Sequence, residues 1–128
     1  MNNPEYYNYG KQKEKEVFLT LKEKFKNIQE TKERYSDWDF IDKEGKILIE
    51  LKSRRVNSNK FNSTILGSNK IHKGRKCSLE GYKVYYIFNF LDKILYYRLK
   101  NKDIFRESFF NYKYHSFIPN NKLKELIK

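Results

Sequence analysis

The sequence is poor in the residues that build disulfide and zinc frameworks. It has one cysteine, Cys77, and two histidines, and it has no alanine among its 128 residues. A single cysteine excludes an internal disulfide framework and is typical of a reducing compartment. One cysteine and two histidines are also too few for a structural zinc site. We therefore expect an intracellular protein, in the cytoplasm or at a nucleoid or viral replication site.

Long apolar runs are missing as well, so the sequence predicts no transmembrane helix. The polar residues 1–4 do not resemble the apolar core of a signal peptide. There is no glycine-rich phosphate loop and no Ser/His/Asp or Cys/His set, so we expect no small-molecule cofactor. The length is typical of one domain, spanning residues 1–128.

Positive charge is abundant. The formal net charge is +12, and Lys and Arg gain affinity for nucleic acids by displacing phosphate counterions. Much of this charge follows from a lysine- and asparagine-rich composition that an AT-rich genome would encode for any function, with 22 Lys and 13 Asn. The charge therefore favours DNA as a partner but does not specify a function.

One stretch, residues 36–54, has the pattern of a β-hairpin. Its flanks are β-branched and aromatic, and residues 42–45 form a turn with Gly45 at the position suited to positive φ. We expect Ile41 and Lys46 to close the turn as a cross-strand pair. Strand alternation then separates two faces. The apolar face collects Trp38, Phe40, Ile47, Ile49 and Leu51, and the polar face collects Asp37, Asp39, Glu50 and Lys52.

The polar face indicates metal chemistry. Carboxylates that converge on one spot repel each other unless a cation neutralises them, and hard oxygen ligands suit Mg²⁺, for which Mn²⁺ can substitute. Lys52, two residues after Glu50 and on the same face, could orient a water or stabilise charge on a phosphate. The alternative is a solvated strand face with a surface ion pair.

An Asp on one strand, a hairpin and then Glu-x-Lys on the next resembles the core of the PD-(D/E)xK nuclease superfamily. Asp39 followed by Phe40-Ile41, and Glu50-Leu51-Lys52 followed by Ser53-Arg54, carry the resemblance, which extends to small viral and phage-type members and to Holliday-junction resolvases. No proline precedes the aspartate, in contrast to the motif. The resemblance implies an α/β fold with a restriction-endonuclease-like αβββαβ core, in which helices flank a central mixed sheet.

The same resemblance implies the site residues. Asp39 and Glu50 would hold Mg²⁺ together with the carbonyl oxygen of Leu51, and Lys52 would orient or activate the attacking water. Glu14, on the inward stripe of the first helix, matches a carboxylate that often completes the metal shell, although it could equally pair with a neighbouring Lys. Asp37 is the alternative ligand to Asp39.

Basic residues that follow the motif are candidates for contacts with the DNA backbone. Residues 53–67 read as a loop carrying Arg54, Arg55 and Lys60. A helix over 69–79, capped by Ser68, would present Lys70 and Lys73, and Lys70 also resembles a basic substrate-holding residue of the small viral members. For each of them the alternative is a solvated cation.

Around these motifs the periodicity predicts a helix from residue 10 to about 30 and a second hairpin from 82 to 99. The core would thus cover about residues 10–99. Beyond it we expect a helical and extended tail over 100–128, with an amphipathic helical segment at 104–110, extended chain to 118 and a terminal helix that opens at Pro119. His115 reads as a structural residue.

The resemblance, together with these patterns, implies a Mg²⁺-dependent deoxyribonuclease that recognises DNA structure, such as branched or nicked duplex, and that resembles a Holliday-junction resolvase. Cutting both strands of a junction would require two sites and hence a homodimer. The alternative is a non-catalytic basic nucleic-acid-binding protein, or a degenerate nuclease fold kept as a DNA-binding subunit.

Overall fold

The computed structural model describes residues 4–31 and 37–126, with side chains from Lys11 onward. Ser36, at the start of the predicted hairpin, lies outside the described residues. The helices are α1 (Pro4–Lys24) and α2 (Ser68–Leu79). The strands are β1 (Gln29–Glu30), β2 (Phe40–Asp42), β3 (Ile47–Ser53), β4 (Ser63–Gly67), β5 (Lys83–Asn89), β6 (Ile94–Arg98), β7 (Arg106–Phe110), β8 (Lys113–Pro119) and β9 (Lys124–Glu125), and residues 120–122 form one 3₁₀ turn.

The main sheet is mixed and has the strand order β1-β2-β3-β5-β6-β9. Its two central strands, β3 and β5, are parallel, and every other neighbouring pair is antiparallel. Both central strands are covered on both faces, which explains their almost continuous apolar sequences. The predicted second hairpin is present as β5 and β6. The α/β class with a mixed sheet and two helices is therefore confirmed.

Helix α1 covers one face of this sheet. Its apolar residues recur every three or four positions, and Val17 and Leu21 are buried, as are Phe25 and Ile28 just beyond the helix. They pack against Phe40, Ile49, Leu51 and Ile87. The helix begins at Pro4 rather than at residue 10, and it ends at Lys24 rather than near residue 30, because the chain turns after Phe25 and continues as β1. No helix in the described part of the chain combines the length and apolar character needed to cross a membrane.

Helix α2 covers the opposite face. It begins at Ser68, one residue before the predicted start, but Ser68 does not cap it: the Ser68 hydroxyl lies 2.8 Å from the Ser116 hydroxyl of β8. Gly74 lets the helix approach β5 closely, since a Cβ at this position would lie 2.1 Å from the Tyr86 hydroxyl oxygen. Ile71 and Gly74 are buried in this contact.

The β2–β3 hairpin is present with a register that differs from the prediction by two residues. Ile41 pairs with Leu48 rather than with Lys46, and Asp42 pairs with Ile47. The prediction of positive φ at Gly45 is wrong, because Lys46 adopts it instead, with φ 54°. Gly45 instead leaves room for the Asp42 carboxylate: the Gly45 N–H donates to Asp42 Oδ1 at 2.9 Å, and a Cβ would lie 2.4 Å from Asp42 Oδ2. A shift of two residues leaves every side chain of the paired strands on its predicted face.

A second, three-stranded sheet has the order β4-β8-β7 and packs against α2 through β4 and β8. Three predictions fail here. Residues 63–67, predicted as the end of a loop, form β4, because Thr64 and Leu66 are buried at alternate positions and the segment pairs with β8. Residues 106–110 form a strand rather than a helix, because Asn111 and Tyr112 adopt φ of 50° and 63° and reverse the chain into a tight hairpin with β8. The terminal helix is also absent from the described residues, where one 3₁₀ turn is followed by β9, paired with β6. Extended chain up to Ile118 is confirmed.

Candidate functional site

Glu50 lies at the centre of the candidate site. It is in the middle of β3 on the face covered by α2, and only 4% of its surface is exposed. Its Oε1 atom lies 3.4 Å from the Lys52 ammonium and 3.3 Å from the Lys70 ammonium of α2. Two residues predicted for different roles, Lys52 for catalysis and Lys70 for substrate contact, thus meet at one carboxylate oxygen.

The surroundings of Glu50 disfavour its ionised form. Burial raises the pKa of Glu50, and the negative charge of Asp39 raises it further, whereas Lys52 and Lys70 act in the opposite direction without reversing the shift. Desolvation and a nearby like charge both penalise a carboxylate. The two lysines therefore offset only part of the effect that burial and Asp39 have on the Glu50 carboxylate.

Asp39 directly precedes Phe40, the first residue of β2, and it faces β3, the strand that carries Glu50. Its N–H donates to the Ile49 carbonyl oxygen at 2.9 Å, and its own carbonyl oxygen accepts from the Thr31 N–H at 3.0 Å. Its Oδ2 accepts from the Leu51 N–H at 2.7 Å. The N–H and C=O of one strand residue point to the same side, so the Leu51 carbonyl oxygen is directed to the edge where Asp39 lies.

Asp37, the alternative ligand, is an exposed residue. Its Oδ1 lies 2.7 Å from the Lys73 ammonium, and about half of each side chain is solvent-accessible, 49% in both cases. The hydrogen bond from Lys73 lowers the pKa of Asp37. Asp39, which raises the pKa of Glu50, is therefore the better candidate of the two aspartates.

Glu14 approaches the site from α1. It is half-buried, and burial raises its pKa, with a further increase from the charge of Asp39. Within residues 4–31 and 37–126, however, no three His, Cys, Asp or Glu side chains form a group that could hold a metal ion. Of the predicted ligands, Asp39 and Glu50 lie close enough for the charge of Asp39 to raise the pKa of Glu50, and the backbone of Leu51 is bonded to Asp39. Such a pair of carboxylates suits Mg²⁺, which is commonly bound through one or two carboxylates plus water and substrate phosphate.

The other predicted DNA contacts lie in varied surroundings. Arg54 is half-buried and donates to the Ile65 carbonyl oxygen at 2.8 Å, and burial lowers its pKa, so it links β3 to β4. Arg55 is exposed, and so is Lys60, whose ammonium lies 6.0 Å from the Phe61 ring centroid. Lys73 contacts Asp37. Lys70 contacts Glu50, and contacts of all five of these residues with DNA stay predictions.

Tyr86 and Trp38 are site residues that the sequence analysis did not identify. Tyr86 pairs with Glu50 across β3 and β5, and its hydroxyl donates to the Lys70 carbonyl oxygen at 2.6 Å. Trp38 lies 6.2 Å from the Tyr86 ring and packs in the core below α2, so its predicted place beside Phe40 is wrong. The reason is that Trp38 lies before the first residue of β2, and the alternation of a strand does not extend to residues outside it. The register of β3 against β5 would have identified Tyr86.

Comparison with known proteins gives no relative. No family model matches the sequence, no curated protein matches it, and no solved structure matches it. The geometry of the described residues is therefore the basis for a proposal about function.

Proposed function

We propose that the protein is a metal-dependent nuclease that hydrolyses DNA phosphodiesters, on a restriction-endonuclease-like variant of the mixed α/β fold. One observation carries the proposal: Asp39 and Lys52 both approach the buried Glu50 at one edge of β3. A carboxylate raised in energy by burial and by a second carboxylate gains from a bound cation.

Each residue has a separate role in this proposal. Asp39 and Glu50 hold Mg²⁺ with the Leu51 carbonyl oxygen, and Glu14 contributes negative charge from the α1 side. The bound ion supplies positive charge against the charge that develops on a phosphate under attack. Lys52, which is about one-third exposed, donates to the attacking water or to the phosphate.

Lys70 positions the other residues. Its ammonium lies on Glu50 Oε1, and its carbonyl oxygen is fixed by the Tyr86 hydroxyl. Because Glu50 has two carboxylate oxygens, Lys70 can stay on Oε1 while Oε2 is available to a cation. Lys70 thus orients the carboxylate, and Arg55 and Lys60 remain candidates for backbone contacts, which carry no sequence information by themselves.

The substrate class follows from charge and size. With a net charge of +12 on 128 residues, the chain favours a polyanion and leaves little length for a module that reads bases. Recognition of branched, nicked or four-way DNA, by a homodimer where two strands are cut, is the activity proposed. It would be detected as a preference for such substrates over linear duplex.

The test is cleavage of labelled DNA by the purified protein with Mg²⁺, Mn²⁺ or EDTA. The substrates are linear duplex, single strand, flap, nicked duplex and four-way junction. Wild type is compared with Glu50→Ala and Asp39→Asn, with Asp37→Asn, and with the matched control Glu23→Gln, which removes an exposed carboxylate from α1.

We expect metal-dependent cleavage by wild type, Asp37→Asn and Glu23→Gln, and none by Glu50→Ala or Asp39→Asn. Loss in Asp37→Asn with retention in Asp39→Asn would reassign the ligand. The rival function is a basic nucleic-acid-binding protein without catalysis. That function would be favoured if wild type bound these DNAs but cut none of them, and if Glu50→Ala bound them equally well.

A further inference from the structure

A second concave region lies at the β6–β9 edge of the main sheet, away from the central strand β3 that carries Glu50. It is a cavity of about 540 Å³ at the edge formed by β6 and β9, beside the last residue of α1. We call it the basic cavity and define it by its six cationic residues, Lys24, Arg98, Lys100, Lys102, Lys122 and Lys124.

Lys and Arg make up a larger fraction of the residues that line the basic cavity than of the whole chain. Six of its 11 lining residues are Lys or Arg, against 28 of 128 in the whole sequence. The larger cavity between α1 and the β5–β6 turn, of about 620 Å³, is a natural comparison: it is lined by two lysines and three carboxylates among 12 residues. Lysine abundance alone therefore does not explain the concentration of cations at one place.

The cavity contains a single carboxylate, Asp103, and that group is already bonded. Its Oδ2 accepts from the Tyr97 hydroxyl at 2.7 Å, and its Oδ1 lies 3.3 Å from the Lys122 ammonium. Among the described residues, Lys122 is the only one of the six cations that forms an ion pair. Five positive charges thus share a concave surface without a carboxylate partner in that part of the chain.

The floor of the cavity is aromatic. The Tyr85 and Tyr96 rings lie 6.1 Å apart, and Phe25 packs against Tyr85 from the core side. The Lys24 ammonium lies 4.8 Å from the Tyr96 ring centroid, and the Arg98 guanidinium lies 5.9 Å from the Tyr85 centroid. Contacts with ring faces hold two of the cations at the cavity, where their charges repel one another unless an anion is bound.

We infer that the basic cavity binds closely spaced phosphate groups, as in a triphosphate or in the backbone of a nucleic-acid strand. Its volume is in the range of small-ligand sites. Ammonium and guanidinium groups form their strongest contacts with phosphate oxygens. A chain of linked phosphates places several charges within the span of the cavity. The inference does not depend on the nuclease proposal, because the cavity shares no residue with that site.

Calorimetric titration with inorganic triphosphate tests this, at physiological ionic strength and with EDTA to exclude metal effects. The cavity variant is Lys100→Gln/Lys102→Gln, which changes two exposed side chains. The matched control is Lys43→Gln/Lys76→Gln, which changes two exposed lysines far from the cavity in sequence and lowers the net charge equally. If the cavity variant fails to fold, as judged by circular dichroism, Arg98→Gln replaces it.

We expect the affinity for triphosphate to fall about tenfold or more in the cavity variant and less than about threefold in the control. Equal losses in both variants would overturn the inference, since they would indicate net charge alone. So would the absence of binding to wild type, or equal binding of an oligoglutamate of the same charge. Glu50→Ala should bind triphosphate like wild type whether or not it cleaves DNA.

Competition then distinguishes the two sources of phosphate. A single-stranded oligonucleotide that displaces triphosphate from wild type but not from the cavity variant would identify a nucleic-acid strand as the ligand. Displacement by a nucleoside triphosphate and not by the strand would identify a free nucleotide.

Discussion

Two carboxylates, Glu50 and Asp103, each contact lysine, yet their pKa values move in opposite directions. Glu50 has two ammonium groups on one oxygen, and its pKa is still raised by burial and by Asp39. Asp103 has one ammonium and the Tyr97 hydroxyl, and its pKa is lowered, chiefly by that hydroxyl. Hydrogen bonding to the charged form thus prevails at Asp103, whereas desolvation and a like charge prevail at Glu50.

The difference indicates what each region lacks. Around Glu50, burial and the charge of Asp39 disfavour the ionised carboxylate despite its two lysines, so a bound cation would stabilise it. Around Asp103 the carboxylate is satisfied and five other cations are not, so an anion would relieve them. The two regions use different strands of the sheet: Glu50 lies on the central strand β3, and the basic cavity lies at the edge formed by β6 and β9.

The largest expected effect is on the rate of DNA cleavage, and it should differ between the two lysines that contact Glu50. Lys52→Met should lower the rate of DNA cleavage by about 10²–10³-fold, because it removes a donor to the reacting groups. Lys70→Met removes the same charge from the same oxygen but should lower the rate only about tenfold, because it affects orientation. Single-turnover cleavage with Mg²⁺ measures both. Equal losses would mean that the two lysines only stabilise Glu50.

A change at Gly74 should damage the Glu50 side and leave the basic cavity intact. Gly74→Ala places a Cβ 2.1 Å from the Tyr86 hydroxyl oxygen and 3.0 Å from Leu99 Cδ2, so we expect it to lower the unfolding free energy by about 2 kcal/mol. Urea denaturation measures this, and cleavage should fall because α2 carries Lys70, while triphosphate binding should not change.

The control for this change is Tyr86→Phe, which removes the hydroxyl. In that background Gly74→Ala should cost less than in wild type, and the double-mutant cycle gives the difference. An equal cost in both backgrounds would show that Leu99 rather than Tyr86 sets the limit.

The sequence predicted the faces of the β2–β3 hairpin better than the fold around it. Alternation along β3 placed Glu50 and Lys52 on one face, and it survived the register error because a shift of two residues preserves the face. Arg54 could not be understood from sequence, because its bond to the Ile65 carbonyl oxygen depends on where β4 returns. The aromatic residues 105–110 fit helical and strand periods alike, and positive φ at Asn111 and Tyr112 decided for a hairpin.

The basic cavity was not predictable for a different reason. Its residues come from α1, β5, β6 and the segment after it, and the 120–124 region, and they meet only through the pairing of β9 with β6. In a chain with 22 Lys, no local cluster distinguishes them. Only the folded chain brings these cationic residues together in one cavity.

The raised pKa of Glu50 predicts the direction in which the stability of the protein changes with pH. When a carboxyl pKa is higher in the folded state than in the unfolded state, stability is greatest below the ordinary pKa and falls as pH rises through the folded-state value. Wild type without metal should therefore lose stability relative to Glu50→Gln between about pH 4 and pH 7. Mg²⁺ should restore stability at pH 7 in wild type and not in the variant. Parallel pH profiles would contradict the assignment.

The smallest expected effect concerns Asp103. Its lowered pKa predicts the opposite dependence of stability on pH. Its contribution to stability is complete above its ordinary pKa and is lost as pH falls through the folded-state value. Asp103→Asn should therefore be less stable than wild type at pH 7, and the two should converge as the solution is acidified below about pH 4. Because the variant also releases Lys122, triphosphate should bind about threefold more tightly. Urea denaturation and calorimetry measure the two effects, and weaker triphosphate binding would mean that Asp103 orders the cavity instead of limiting its charge.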